Sequence, residues 1–201
     1  MRRAIFQRTL LTLAVLLTAA SSSLAQSAAT YDVVPRDSIV RFTVTKFMVE
    51  RVDGNFHDFR GSIRYNAEQP EESSMEMSVV VRSVTSGARG RDRTIQNEDF
   101  FHSSRYPHMT FRSTGVARRG DGSLDVTGDL TIRGVTRRIT VPVRVLNGNG
   151  NRVEFETSFV VDRTGYGVLG TRWSGGRAII SHDATIYMKI AAAPAAANAA
   201  R

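Results

Sequence analysis

The sequence predicts an all-β chain: an antiparallel barrel or sandwich of about eight strands, with one short helix in the 86–107 connection. Three observations carry this. Apolar residues recur at every second position in one stretch after another. Glycine, asparagine and aspartate punctuate the gaps between those stretches. The alternating stretches run about eight to ten residues, longer than the usual five to six, and long strands need closure or stacking to hide their edges. The composition suits a packed domain: 201 residues, 41% hydrophobic and 23% charged.

The elements follow in order. Val40, Phe42 and Val44 alternate with Arg41, Thr43 and Thr45; Phe59, Gly61, Ile63 and Tyr65 alternate with Arg60, Ser62 and Arg64. Met75, Met77, Val79 and Val81 form a third apolar face, and a shorter strand holds Met109 and Phe111. Leu124 to Ile132, Ile139 to Val145, Val153 to Val161 and Ala184 to Ile190 repeat the pattern, with arginine, aspartate, glutamate and threonine on the other face. Gly120-Asp121-Gly122, Arg133-Gly134 and Asn147 to Asn151 join neighbouring strands by short turns, which makes the pairing antiparallel. The exception is Ser86 to Pro107, where Asp92 to Phe101 has room for a short helix and Phe100 and Phe101 need a place to bury.

The two ends read differently. Arg2, Arg3 and Arg8 precede an apolar run from Thr9 to Ala20, and Ser23-Leu24-Ala25 supplies small residues before a cut. This is the layout of a secretory signal peptide, too short to span a bilayer. The expected organisation is a signal peptide at 1–25, a β-domain at 26–190 and a disordered alanine-rich tail at 191–201, in a periplasmic protein. Alternation alone also fits an outer-membrane barrel with its apolar face outward. One tryptophan and five tyrosines are too few for two aromatic girdles, and dense arginine and glutamate suit a wet exterior.

Catalytic signatures are absent from the sequence. With no cysteine there is no disulfide, thiolate metal site or cysteine nucleophile. No Gly-x-Ser-x-Gly elbow occurs, and His57, His102, His108 and His182 are scattered without metal-ligand spacing. Asp121-x-Ser123-x-Asp125 has Val126 where a calcium loop needs glycine, so it reads as a hairpin turn. The net charge is +8, with arginine pairs and triplets at 89–93, 118–119 and 137–138. The phenylalanines fall on apolar strand faces rather than among these cations, so no nucleic acid partner is expected. A solvated surface or contact with anionic lipid fits better.

Five stretches, in order, carry a family likeness: Asp37-Ser38 with Phe42-Thr43-Val44; Gly54-Asn55-Phe56 with Phe59-Arg60-Gly61; Asp99-Phe100-Phe101 with Tyr106-Pro107-His108-Met109-Thr110-Phe111-Arg112-Ser113; Gly128-Asp129-Leu130-Thr131-Ile132-Arg133-Gly134-Val135-Thr136-Arg137; and Asp162-Arg163 leading to Tyr166-Gly167. From about Tyr31 to Ile190 the chain resembles the YceI-like polyisoprenoid-binding proteins. Lys46 departs from the pattern, since relatives often place a histidine there.

The resemblance implies an eight-stranded antiparallel lipocalin-like barrel and a binding role rather than catalysis. The expected function is an exported carrier holding a polyisoprenoid, an isoprenoid quinone or a similar long-chain amphiphile, for transport, storage or scavenging. The alternative is a lipid-processing enzyme using the same cavity. The expected lumen residues are Phe42, Val44, Phe56, Met77, Val79, Val81, Phe111, Leu130, Ile132, Val141, Phe155, Phe159, Ile186 and Met188. Head-group candidates at an open end are Arg163, Tyr166 and Arg91. No metal or resident cofactor is expected beyond the bound isoprenoid lipid or quinone. The expected partners are that lipid and a transient membrane surface, and the sequence leaves a homodimer open.

Overall fold

A strand with one apolar and one charged face must bury the first, wet the second and pair both edges. The computed structural model, which describes residues 28–171 and 180–195, meets all three demands with a closed antiparallel barrel. The strands are β1 (Ala29–Val33), β2 (Ile39–Lys46), β3 (Glu50–Phe56), β4 (Phe59–Tyr65), β5 (Ser74–Val80), β6 (Val84–Thr85), β7 (His108–Arg118), β8 (Leu124–Ile132), β9 (Val135–Asn149), β10 (Arg152–Asp162) and β11 (Asp183–Pro194). The single helix among the described residues, α1, is Arg89–Gln96, inside the expected 86–107 connection. The signal peptide expected at 1–25 lies outside the described residues.

Three staves of the barrel are each made of two segments. β1 leads into β2, β3 into β4, and β5 into β6, each pair broken by a few residues. Pairing runs β1–β4–β5–β7–β8–β9–β10–β11 and closes through β11 onto β1, while β2, β3 and β6 extend the first three staves beyond the breaks. The result is an eight-stranded up-and-down barrel. One end carries the β2–β3 turn, α1 with its long connection, the Arg133-Gly134 turn and the segment after β10. The other end carries the β4–β5, β7–β8 and β9–β10 turns.

Closure depends on a seam. β11 pairs with β2 over Thr185–Lys189 and, three positions further along, with β1 over Ala192–Pro194. The Pro35–Asp37 turn between β1 and β2 would leave polar backbone stranded there. Ser38 repairs the gap: its Oγ donates to Val34 O at 2.9 Å and accepts from Ala191 N at 3.0 Å, and Val34 N donates to Ala191 O at 2.8 Å. Ala191 and Ala192 are completely buried at this point. The expectation of a disordered tail from residue 191 is therefore corrected. The alanines are the small residues on which the first and last strands meet, and the strand runs on to Pro194. Residues 196–201 lie outside the described residues.

The direction of the two faces is settled by the exterior. Arg138 Nε lies 3.0 Å from Asp129 Oδ1, Arg112 pairs with Glu76 at 3.2 Å and Arg144 with Glu156 at 2.9 Å, all on outward positions of neighbouring strands. Such exposed pairs add about 0–1 kcal/mol each, so they identify the wet face rather than hold the fold together. The apolar face points inward, the reverse of a barrel that crosses a bilayer with its strands.

At the helical end, α1 starts without a side-chain cap at Ala88, but the Asp92 carboxylate accepts from Ser86 N at 2.7 Å and Ser86 Oγ at 2.6 Å. This anchors the first turn to the chain that enters it. Ile95 is the buried residue of the helix. Replacing Ser38 with alanine should lower the unfolding free energy by about 1–3 kcal/mol, the cost of orphaning buried backbone groups. Urea denaturation of wild type and Ser38→Ala checks this.

Candidate functional site

The inward faces do not meet in the middle. They enclose a lumen of about 480 Å³, within the roughly 300–1,000 Å³ typical of ligand pockets. Of the apolar residues expected there, every one except Val81 lines it: Phe42, Val44, Phe56, Met77, Val79, Phe111, Leu130, Ile132, Val141, Phe155, Phe159, Ile186 and Met188. Val81 is a correction. The strand ends at Val80, the chain turns through a 3-10 turn at Val81–Ser83, and Val81 is buried in the wall instead. On β10 the lining runs Phe155, Thr157, Phe159, Val161, about 20 Å of strand at 3.4 Å per residue. The space runs along the strand as a tube.

The lumen stays open because two glycines let phenylalanine rings lie along the wall. A side-chain carbon on Gly54 would stand 2.3 Å from the ring of Phe42, and one on Gly128 would stand 2.4 Å from the ring of Phe111. At Gly54 a larger residue must push the Phe42 ring toward the empty centre, whereas at Gly128 it would also stand 2.6 Å from the backbone carbonyl of Arg112, so that glycine is required by the β7–β8 ladder as well as by the ring. Phe42 and Phe56 pack tilted at 5.7 Å between ring centroids, and Phe101 meets both edge-on at 6.4 and 6.0 Å. This triplet lies where Phe101, Ile95, Thr94 and Arg91 cover the lumen's helical end.

The head-group candidates separate. Arg91 lines the lumen and is exposed on α1. Arg163 also lines it, but the side chain is buried and engaged with backbone carbonyls. Its Nε donates to Ser181 O at 2.7 Å, Nη1 to Leu169 O at 2.8 Å and to Val168 O, and Nη2 to Ile180 O at 2.9 Å. Burial pulls its pKa below the ordinary guanidinium value, opposed by the nearby Asp162 and Asp99 carboxylates. Arg163 is thus a cationic clamp on the segment after β10. Tyr166 is corrected: it does not line the lumen. It is buried among Phe100, Val161 and Val168, with the Arg137 guanidinium 5.6 Å from its ring. Its hydroxyl has no partner among the described residues, and burial raises its pKa.

Sequence reasoning missed several lining residues. Ile63, Met75, Met109, Val126 and Ile190 share the same alternation and could have been added from it. Val52 belongs to β3, whose Asp53-Gly54-Asn55 core reads as a turn although Gly54 is an inward strand position. Lys46 at the helical end carried no alternation signal; its Nζ lies 3.6 Å from Glu50 and 4.9 Å from the Phe47 ring centre. Thr157 is the polar residue midway along β10, and its Oγ1 is buried without a partner among the described residues.

The histidines do not converge. His57 Nε2 lies 2.7 Å from Thr85 Oγ1, His108 Nδ1 lies 3.4 Å from Ser78 Oγ, and His102 packs edge-on against Tyr106. Among the described residues no three His, Asp or Glu side chains gather as metal ligands would.

Residues 31–192 match the family model described as the YceI-like domain. The chain belongs to the YceI-like family. Among similar proteins, a protein called UPF0312 from Azotobacter vinelandii is 33% identical over 109 residues, covering 54% of this chain and 57% of the relative. Protein YceI from Escherichia coli is 31% identical over 124 residues, covering 59% of this chain and 64% of the relative. The chain thus spans somewhat over half the length of these curated relatives. Burkholderia cenocepacia BcnA superimposes with a TM-score of 0.73 at 26% identity, covering 79% of this chain and 98% of that one. A structure described as a polyisoprenoid binding domain from Saccharophagus degradans superimposes at 0.67 with 14% identity, covering 84% of this chain and 99% of that one.

In this YceI-like barrel, three of the five stretches that carry the resemblance, those holding Asp99-Phe100-Phe101, Arg133-Gly134 and Tyr166-Gly167, meet at the helical end. Asp99 O accepts from Leu169 N at 3.2 Å and Gly170 N at 2.9 Å. Arg133, in the two-residue turn with Gly134, donates from Nη1 to Phe100 O at 2.8 Å and Gly167 O at 2.5 Å. Two outcomes test the site. Gly54→Ala, whose added carbon meets only the Phe42 ring, should drive that ring into the lumen, so that a crystal structure shows a smaller cavity and an apolar dye binds more weakly by tenfold or more. Arg163→Met should cost at least about 2 kcal/mol of stability, because it strips charge-assisted donors from buried carbonyls; thermal denaturation reads this directly.

Proposed function

We propose that this protein is an exported carrier that holds the tail of a polyisoprenoid, an isoprenoid quinone or a similar long-chain amphiphile in its lumen. The observation that carries the reading is the apolar tube of about 480 Å³ kept hollow by glycine-seated phenylalanines. A solved relative of the same fold is described as a polyisoprenoid binding domain, which supports the ligand class. The arginine-headed apolar run before Ala25 supports export and a periplasmic location.

The energetics define the task. Burying a methylene is worth about 0.8 kcal/mol, so a forty-carbon chain leaving water would gain more than any non-covalent complex displays, about 20 kcal/mol. Such a chain is never free in water. The competition is bilayer against barrel, where the apolar gains nearly cancel. The polar end then decides, and in our reading it sits at the helical end, near Arg91, Lys46 and the buried charge of Arg163. Four methionines in the wall, Met75, Met77, Met109 and Met188, suit an adaptable fit to a methyl-branched chain.

Mass spectrometry of organic extracts from protein purified without detergent is the decisive experiment. A near-stoichiometric prenyl lipid is the expected result, and clean protein with no lipid overturns the reading. Met188→Glu, which places a carboxylate against the tube, should reduce the lipid recovered by tenfold or more.

A further inference from the structure

The tip of the β2–β3 hairpin is built against the interests of the fold. Lys46 O accepts from Val49 N at 3.2 Å, closing a β-turn within the three-residue connection 47–49, and its central residues, Phe47 and Met48, have φ of +51° and +64°. That left-handed turn favours Asn-Gly. Instead it carries two large apolar side chains, and these are exposed: Phe47 by 55%, Met48 by 94% and the neighbouring Val49 by 85%. Folding alone gives no reason for this choice, since the residues accept backbone strain and bury little in return.

The surroundings indicate what covers the tip. Lys46 and Arg91 both line the lumen, so the tip and α1 flank the same opening. Arg89 and Arg93 are exposed on α1, with Glu50 and Glu98 as exposed acids nearby and Asp162 and Asp183 exposed on the strands at the same end. Lys46 stands beside the Phe47 ring, a cation next to an aromatic, as at a membrane interface. Val135 and Leu169 add exposed apolar area at this end. The loops at the opposite end are polar: Asn66 to Gln69, Gly120-Asp121-Gly122 and Asn149-Gly150-Asn151.

We propose that Phe47, Met48 and Val49 insert into the surface of an anionic phospholipid bilayer, with the α1 arginines on the headgroups, so that the lumen opens toward the membrane. The inference rests on the carrier reading and assigns the face through which a lipid would enter. A chain that is never free in water must be handed over at a surface, and this end offers apolar side chains for the acyl boundary and cations for phosphate.

The test uses the protein expressed from its own first residue, with wild type and variants compared side by side on phosphatidylcholine vesicles with and without phosphatidylglycerol. Phe47→Asn with Met48→Gly supplies the turn's preferred residues. It should leave the melting temperature unchanged or higher while weakening vesicle binding by about tenfold or more. Arg89→Gln and Arg93→Gln should each weaken binding to phosphatidylglycerol vesicles by about fivefold at low salt. Because the chain has no cysteine, Met48→Cys and Asp121→Cys each accept a single environment-sensitive label. The label at 48 should shift to the blue on anionic vesicles and the label at 121 should not. A turn variant that sediments with vesicles as well as wild type, or equal shifts at 48 and 121, overturns the proposal and leaves the lumen's ligand untouched. Protein that docks as described but yields no lipid on extraction supports the docking face and defeats the carrier reading instead.

Discussion

Everything in this molecule depends on the first strand meeting the last. A sheet of eight long strands has two edges, and packing of the inward faces alone does not pair them. Here β11 serves β2 along one stretch and β1 along the next, and the offset between the two is absorbed at Pro35–Asp37. The Ser38 hydroxyl stands in for the lost ladder hydrogen bonds, and Ala191 and Ala192 let the strands approach with nothing exposed. Were this seam open, the apolar face would be an exposed surface. Closed, it is the inside of a tube.

The two ends of that tube are put together differently. The helical end is cross-tied by arginines whose partners are carbonyls rather than carboxylates. Arg163 holds Val168, Leu169, Ile180 and Ser181, while Arg133 holds Phe100 and Gly167. A guanidinium's fixed fork of donors suits this work, because it fixes several loops at once without a second side chain. The other end closes with short polar turns. Rigid ties and an exposed apolar fingertip thus occupy one end together, where the left-handed backbone at Phe47, Met48, His102 and Arg133 also gathers.

Much of this was legible in the sequence, because period-two alternation is a direct record of which side chains share a face. It yielded the strand count, the antiparallel order and all but Val81 of the expected lining residues. What it missed has physical causes. Val81 continues the alternation on paper, but alternation carries no information about where a strand breaks. Gly54 resembles a turn residue, yet it is a wall position whose missing side chain seats a ring. Ala191 to Pro194 looks like low complexity, although small size is what a crowded seam requires. Tyr166 follows a charged motif and was expected at the mouth, but its ring is needed under Phe100 and Val168. Whether a space is empty or filled depends on ring orientation across strands, which no local pattern encodes.

Of the five methionines among the described residues, four face the enclosed space. Their thioethers make the wall soft and polarizable, but they are also its most readily oxidised atoms. Peroxide reaching the interior would turn each into a sulfoxide, a strong dipole in place of a hydrocarbon-like surface. Because Met77 is buried in the core and Met75, Met109 and Met188 pack against it, each such change would weaken the packing of the wall as well as its apolar character.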